Sequence, residues 1–134
     1  MNNEQREKIE EIRRLISSGG RERGILNSAY PAAPFIPLLN GTSMLAYRLI
    51  VGETLAVVLS YEGMKEGDRI LFYCGGATPG ISDFECSLTL MDGRRVEVDV
   101  PKEYLKRLIK HQAFAVYFVN GTQPSNFTYF DVIE

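Results

Sequence analysis

Strict alternation of apolar and charged side chains over short segments is the feature that most restricts the fold of this chain. In residues 95–100, valines at the even positions alternate with charged residues at the odd positions. A period of two gives a strand one apolar face and one solvated face. Further strand-type segments, bounded by turn residues, lie near residues 34–39, 54–61, 69–75, 84–90, 113–119 and 127–133. Seven short strands of this kind predict a β-sandwich or barrel.

Length and charge restrict the class of protein further. The 134 residues suffice for one domain with its own core, and the formal net charge is -2. That balance gives no electrostatic reason to expect nucleic acid or an anionic membrane as a partner. The charged N-terminus has no apolar region typical of a secretory signal, and no apolar stretch is long enough to span a bilayer. We therefore expect a cytoplasmic protein, or one exported by a route without an N-terminal signal.

The first element predicted is an amphipathic helix. Asn2 or Asn3 can cap it, and Ile9, Ile12 and Ile16 form a narrow apolar stripe. The Ser-Ser-Gly-Gly run at 17–20 ends it. We expect a helix over residues 1–18, a linker over 19–32 and a β-domain over 33–134. A short helix is marginal alone, so its stripe must pack on its own domain or on a second copy of the chain.

Two connections between strands carry local signals. Pro101 starts a segment in which Leu105, Leu108 and Ile109 share one face, which predicts a short crossover helix from one sheet to the other. The Asp-Gly pair at 92–93 is typical of a hairpin turn. Matching the apolar faces across a three-residue loop with a bulge predicts two cross-strand pairs, Leu88 with Val96 and Cys86 with Val98.

Residues 61–73, with the sequence Y-E-G-M-K-E-G-D-R-I-L-F-Y, resemble a known family. They are similar to the Ig-like repeat domains of large proteobacterial surface proteins, which carry a Y-x-G-M-x-x-G-D signature; the likeness extends over about residues 33–133. The resemblance implies a mainly β, immunoglobulin-like seven-stranded β-sandwich, a bacterial source and a binding role without catalysis. It names no ligand. In the residues themselves, Gly63 and Gly67 suit turns and Asp68 can satisfy loop amides.

Two strands lack a polar face, and in Ig-like topology they are neighbours. They are the segments 69–75 and 113–119. If Tyr117 points inward, as the resemblance implies, an apolar set points outward, namely Leu71, Tyr73, Phe114, Val116 and Phe118. Burying each such side chain is worth about 1.5–3 kcal/mol, so a protein surface should cover them. The hypothetical binding surface combines this set with Ile9, Ile12 and Ile16, covered by the helix of the same chain or of a second one.

Residues that could carry chemistry have simpler explanations. Cys74 and Cys86 lie on apolar strand faces and are predicted to be buried. His111 has no neighbouring nucleophile in the sequence, and the spacing of Cys and His fits no zinc site. The same-face carboxylates Asp83/Glu85 and Glu97/Asp99 arise routinely from strand alternation. We predict no catalytic residue, no metal site and no cofactor.

The favoured function is therefore a non-enzymatic interaction module that binds an unidentified protein and self-associates as a homo-oligomer. One alternative is a carbohydrate-binding sandwich that uses Tyr and Phe around the loop from Asn120 to Asn126. A second alternative is a small hydrolase that uses the paired carboxylates.

Overall fold

The computed structural model describes residues 1–19 and 29–134. Most of the expected linker, residues 20–28, lies outside the described residues. The helices are α1 (Asn3–Ser17) and α2 (Lys102–Arg107). The strands are β1 (Met44–Ala46), β2 (Thr54–Leu59), β3 (Arg69–Gly76), β4 (Asp83–Thr89), β5 (Val96–Pro101), β6 (Gln112–Val119), β7 (Gln123–Pro124) and β8 (Thr128–Ile133). Neither described helix is long and apolar enough to cross a bilayer.

The strands form two sheets of unequal width. The large sheet has the order β1-β8-β6-β3-β4, and β7 pairs with β6 at one end. The small sheet contains only β2 and β5, paired antiparallel. The predicted mainly β fold with two sheets is confirmed. The neighbouring positions expected for 69–75 and 113–119 are also confirmed, because β3 and β6 pair with Leu71 opposite Phe118 and Tyr73 opposite Val116.

The main core lies between the two sheets. It is built from the inward side chains of both sheets, and its large buried members include Leu55, Leu59, Phe72, Tyr117 and Phe130. The hydroxyl of Tyr117 donates a hydrogen bond to the carbonyl oxygen of Ala32 at 2.5 Å. Residues 31–32 of the expected linker are thus tied to the β-domain.

The hairpin predicted around Asp92-Gly93 is wrong. Leu88 pairs with Ile70 of β3, and Val96 pairs with Leu59 of β2, so β4 and β5 belong to different sheets. The loop between them carries the chain from the large sheet to the small one. Its turn chemistry is still present, since the carboxylate of Asp92 accepts a hydrogen bond from the amide of Arg94 at 2.9 Å. An Asp-Gly turn serves a hairpin and an inter-sheet loop equally well, which is why the local pattern could not distinguish them.

The strand predicted at 34–39 is also wrong as an extended element. Phe35 forms a single antiparallel bridge with Val58, and Pro37–Leu39 turns into a 3-10 helix. The prolines of this segment lack the N–H groups that a longer ladder needs. The short strands β1 and β7 were not predicted. In the described residues there are eight strands instead of the seven expected.

The crossover helix is confirmed. α2 follows Pro101 and connects β5 of the small sheet to β6 of the large sheet. Leu105 and Leu108 are buried in the main core, as their spacing on one face predicts. The aromatic ring of Tyr104 packs edge-to-face against Phe84, with 5.1 Å between the ring centroids. α2 therefore closes one end of the gap between the sheets.

The two cysteines differ in burial, which corrects half of the prediction. Cys74 on β3 is buried, whereas Cys86 on β4 is half-buried, and both are free thiols. The difference follows from their strands, because β3 is central in the large sheet and β4 is its edge. Burial raises the pKa of the Cys74 thiol to about 12, which keeps it protonated at neutral pH.

We predict that a thiol reagent labels Cys86 and spares Cys74 in the native protein. The thiolate is the reactive form, and Cys74 lacks both the thiolate and solvent access. Labelling with an aromatic disulfide near pH 8, monitored by absorbance, should give one fast equivalent per chain and a second only after denaturant is added. The Cys86→Ser variant should lose the fast equivalent. Fast labelling of that variant would show that β3 is not central in the folded sheet.

Candidate functional site

Helix α1 begins with a capping box. The side chain of Asn2 accepts from the amide of Gln5 at 2.8 Å, and the side chain of Gln5 accepts from the amide of Asn2 at 2.9 Å. These bonds satisfy amides that would otherwise lack partners at a helix N-terminus. Gln5 also donates to the carbonyl oxygen of Gly121 at 2.6 Å. The cap thus fixes the start of α1 to the turn between β6 and β7.

The outer face of the large sheet, which is the face turned away from the small sheet, is covered by α1 of the same chain. Ile9, Ile12 and Ile16 pack there in a second hydrophobic core. Its sheet members include all five outward residues predicted from the sequence, and of these Tyr73, Phe114, Val116 and Phe118 are buried while Leu71 is half-buried. The prediction that protein covers this face is confirmed. The residues form an interface within one chain.

A polar cluster closes this interface beside the edge strand β4. Arg13 of α1 donates to the hydroxyl of Tyr73 at 2.7 Å and to the carboxylate of Asp83 at 3.0 Å. It also donates to the carbonyl oxygen of Gly76 at 3.2 Å, while the Tyr73 hydroxyl donates to Asp83. Burial raises the pKa of Tyr73, and its hydrogen bond to Asp83 raises that pKa further. The sequence patterns did not predict this cluster, because it joins Arg13 to side chains 60 and 70 positions away in the chain.

Gly75 makes room for the cluster. A Cβ atom at this position would overlap the Tyr73 hydroxyl and would lie 2.7 Å from the carbonyl oxygen of Ser82. The conformation of Gly75 is ordinary for a strand, so the requirement is for space. The side chain of Tyr73 can therefore fold over the strand toward Asp83 and Arg13.

The signature segment 61–68 has a structural role. The Tyr61 hydroxyl donates to Asp68 at 2.6 Å, and the amide of Lys65 donates to the same carboxylate at 3.2 Å. Asn120 donates to the other carboxylate oxygen at 3.1 Å. Gly63 and Gly67 both adopt positive φ, as expected from their place in turns. Asp68 thereby joins the β2–β3 loop to the β6–β7 turn.

The charge of Asp68 is favoured by these contacts. Its hydrogen bonds with Tyr61 and Asn120 hold its pKa below the usual value of 3.8. Burial raises the pKa of Tyr61, and the bond to Asp68 adds to that increase. Tyr61 therefore acts as a neutral donor to an ionised carboxylate.

The side of the sandwich bounded by the edges of β4 and β5 is open; we refer to it below as the open side. The inward residues of β4 are only half-buried, whereas those of β3 next to it are buried. The half-buried apolar residues on this side are Phe84, Cys86, Leu88 and Val96. Neither β4 nor β5 has a second strand partner in the described chain. The open side thus combines unpaired strand edges with accessible apolar side chains.

The paired carboxylates lie on these same two strands. Asp83 and Glu85 belong to β4, and their carboxylates contact Arg13 and the amino group of Met1, respectively. Glu97 and Asp99 of β5 are exposed and form no ion pair with the described residues. His111 is exposed after α2, apart from both pairs in the sequence. The two pairs therefore belong to different sheets.

Aromatic residues around the Asn120–Asn126 loop point into the protein. Tyr117, Phe118 and Phe127 are all buried, and Asn126 is also buried. Exposed aromatic rings are the usual platform for stacking against a sugar ring, and these rings are not on the surface.

Comparison with known proteins gives little information. No protein-family model and no curated protein sequence matches the chain. Among solved structures, a match is the sensor domain of the anti-sigma factor RsgI4 from Pseudobacteroides cellulosolvens, with a TM-score of 0.43 and 11% sequence identity over 60% of this chain and 78% of that one. This similarity is too distant to support any inference about function.

We predict that Ile12→Ala destabilises the protein by about 2–4 kcal/mol, because Ile12 is fully buried between α1 and the large sheet. Urea unfolding followed by circular dichroism should show the loss. Glu7→Ala, on the exposed face of the same helix, should change stability by less than about 0.5 kcal/mol. Equal effects of the two substitutions would contradict docking of α1 on the sheet.

We predict that Asp68 stabilises the fold in a pH-dependent way. Since its folded pKa is below 3.8, its contribution is fully present above pH ~4 and is lost as pH falls through the folded pKa. Asp68→Asn should therefore be less stable than the wild type at neutral pH, and the difference should narrow in acid. Urea unfolding at several pH values measures this difference. Glu66→Gln, in the exposed part of the same loop, serves as the control, and a constant gap for Asp68→Asn would contradict the assignment.

Proposed function

We propose that this chain is a non-enzymatic interaction module of immunoglobulin-like type and that its partner is a protein. The open side is the observation that carries the proposal. Unpaired strand edges and half-buried apolar residues there offer the main-chain and side-chain contacts that protein segments use when they bind to a sheet. The resemblance of residues 61–73 to Ig-like repeat domains supports the same role.

Self-association through α1 is a second form of the proposal. The helix stripe and the outer face are complementary, so two copies could exchange their helices. In the structure α1 occupies the face of its own chain, and self-association by this route requires the helix to leave it. The proposal for a protein partner at the open side needs no such release.

The two alternative functions receive less support. A carbohydrate site at the Asn120–Asn126 loop would need the flanking aromatic rings to turn outward from a hydrophobic core. A hydrolase would need a carboxylate pair free to act on substrate, while Asp83 is engaged by Arg13 and Tyr73. Glu97 and Asp99 remain available as a pair, on an exposed strand face.

We predict that the full chain enriches peptides from a displayed library of bacterial protein fragments. Enriched peptides, made synthetically, should bind in solution with roughly micromolar Kd, as expected for a small interface. Isothermal titration calorimetry gives the affinity, and the same chain is applied to a glycan array. Uncoated beads control for enrichment that does not depend on the protein.

Two outcomes would contradict the proposed function. One is the absence of any enriched peptide that binds in solution. The other is glycan binding that free sugar displaces, which would favour the carbohydrate alternative.

A further inference from the structure

The free edge of β5 is defined by its hydrogen bonding. The amide of Lys102 donates to the carbonyl oxygen of Glu53 at 2.9 Å, directly beyond the β2–β5 ladder. In an antiparallel pair the hydrogen-bonded positions alternate, so Val96, Val98 and Val100 bond to β2. The amides and carbonyls of Glu97 and Asp99 therefore point away from β2. The other edge of β2 shows the same alternation. Val58, which lies opposite Glu97, points its amide and carbonyl away from β5 and exchanges two hydrogen bonds with Phe35.

The position beside β5 faces the part of the large sheet whose inward residues are only half-buried. A loop of six residues, 90–95, joins β4 to β5, so both strands lie on the same side of the sandwich. The small sheet ends at β5, and the inward residues of β4 remain half-buried. A strand added to β5 would lie over Cys86 and Leu88, beside Phe84, on which Tyr104 of α2 already packs. A strand added to β4 would instead widen the large sheet and leave its own inner face uncovered.

Charge distinguishes the partners that could occupy this position. Glu97 and Asp99 are exposed on the outer face of β5, without an ion-pair partner in the described chain. Like charges directly opposite each other destabilise a strand pair, and opposite charges stabilise it. Pairing of β5 with β5 of a second copy, centred on Val98, would place Glu97 opposite Asp99 twice. A basic segment is favoured over a second copy of this chain.

We propose that β5 accepts an extended peptide of another protein as the third strand of the small sheet. The peptide alternates apolar residues, directed at Cys86 and Leu88, with basic residues beside Glu97 and Asp99. This inference rests on the proposed function and adds the chemistry of the partner and the strand that binds it. Pro101 limits the site, because it lies on the same edge and has no amide to donate.

The probe is a peptide in which valine and lysine alternate, acetylated at its N-terminus and amidated at its C-terminus. Its length of about nine residues is usual for a strand. A second peptide carries N-methyl groups on its lysines, which keeps the charge and removes the amides that would bond to β5. A third peptide has glutamate in place of lysine. Binding is measured by fluorescence anisotropy with the full chain.

We expect the valine–lysine peptide to bind, and the N-methylated and glutamate peptides to bind at least roughly tenfold more weakly. Amide hydrogen exchange of Glu97 and Asp99 should slow in the complex. The rate of thiol labelling at Cys86 should fall as well, because the added strand covers the inward side chains of β4. Binding of the N-methylated peptide with equal affinity would overturn the proposal, since charge alone would then explain it.

Variants separate the two edges. Asp99→Pro removes an outward amide without breaking the β2–β5 ladder and should abolish binding, whereas Ser87→Pro, the matched change on β4, should not. The pair Glu97→Gln and Asp99→Asn should weaken binding roughly fivefold and reduce its salt dependence. Glu62→Gln with Glu66→Gln makes the same charge change elsewhere and should have little effect. Circular dichroism checks that each variant is folded.

Three results would overturn the inference: no binding of the valine–lysine peptide, loss of binding only in Ser87→Pro, or formation of a homodimer that Asp99→Pro dissociates. Library-derived peptides that bind the wild type and Asp99→Pro equally would overturn it as well. That last result would leave the proposed function intact, so failure of the two can be distinguished.

Discussion

The contact on which this structure depends is the one between α1 and the outer face of β3 and β6. Both strands are apolar on their two faces, so each face needs a cover. The small sheet covers one, and Ile9, Ile12 and Ile16 cover the other. Each buried side chain of this size contributes about 1.5–3 kcal/mol, comparable in sum to the net stability of a domain. The helix is therefore part of the fold and more than an appendage to it.

Polar groups fix the orientation of α1 on the large sheet and of the loops at one end of the sandwich. A stripe of isoleucines on an apolar sheet face leaves the direction of the helix poorly determined, because burial of apolar surface is not directional. Near the N-terminal end of α1, Gln5 binds to Gly121. In the C-terminal half of the helix, Arg13 binds to Tyr73 and Asp83. The second polar cluster, around Asp68, joins loops at one end of the sandwich. Hydrogen bonds thus select one arrangement from many of similar burial.

The sequence was informative where the period of the side chains decides the structure. Alternation placed the inward and outward residues of β3 and β5 correctly, and those of β6 followed once Tyr117 was taken as inward. The helical stripe indicated a cover for the outer face, in the same chain or in a second one. Strand pairing was less predictable. Whether β5 folds back on β4 or crosses to the other sheet depends on its pairing with β2, which lies far from the turn at Asp92 in the sequence. The burial of Cys86 was overestimated for a related reason. Alternation gives the sheet face on which a residue lies, but it does not show how far the opposing sheet extends over that residue.

Of the candidate site, the apolar face could be predicted and the open side could not. The five outward residues follow from parity within two strands, combined with one assumption about Tyr117. The open side follows from an inequality between the sheets, six strands against two, which depends on pairings along the whole described chain. The outer face of the large sheet and the open side therefore differ in how they are covered. One face is closed by a helix of the same chain, with its polar groups satisfied. On the open side, the amides and carbonyls of Glu97 and Asp99 have no strand partner among the described residues and lie beside a half-buried apolar row. A bound strand would therefore complete the small sheet without disturbing either core.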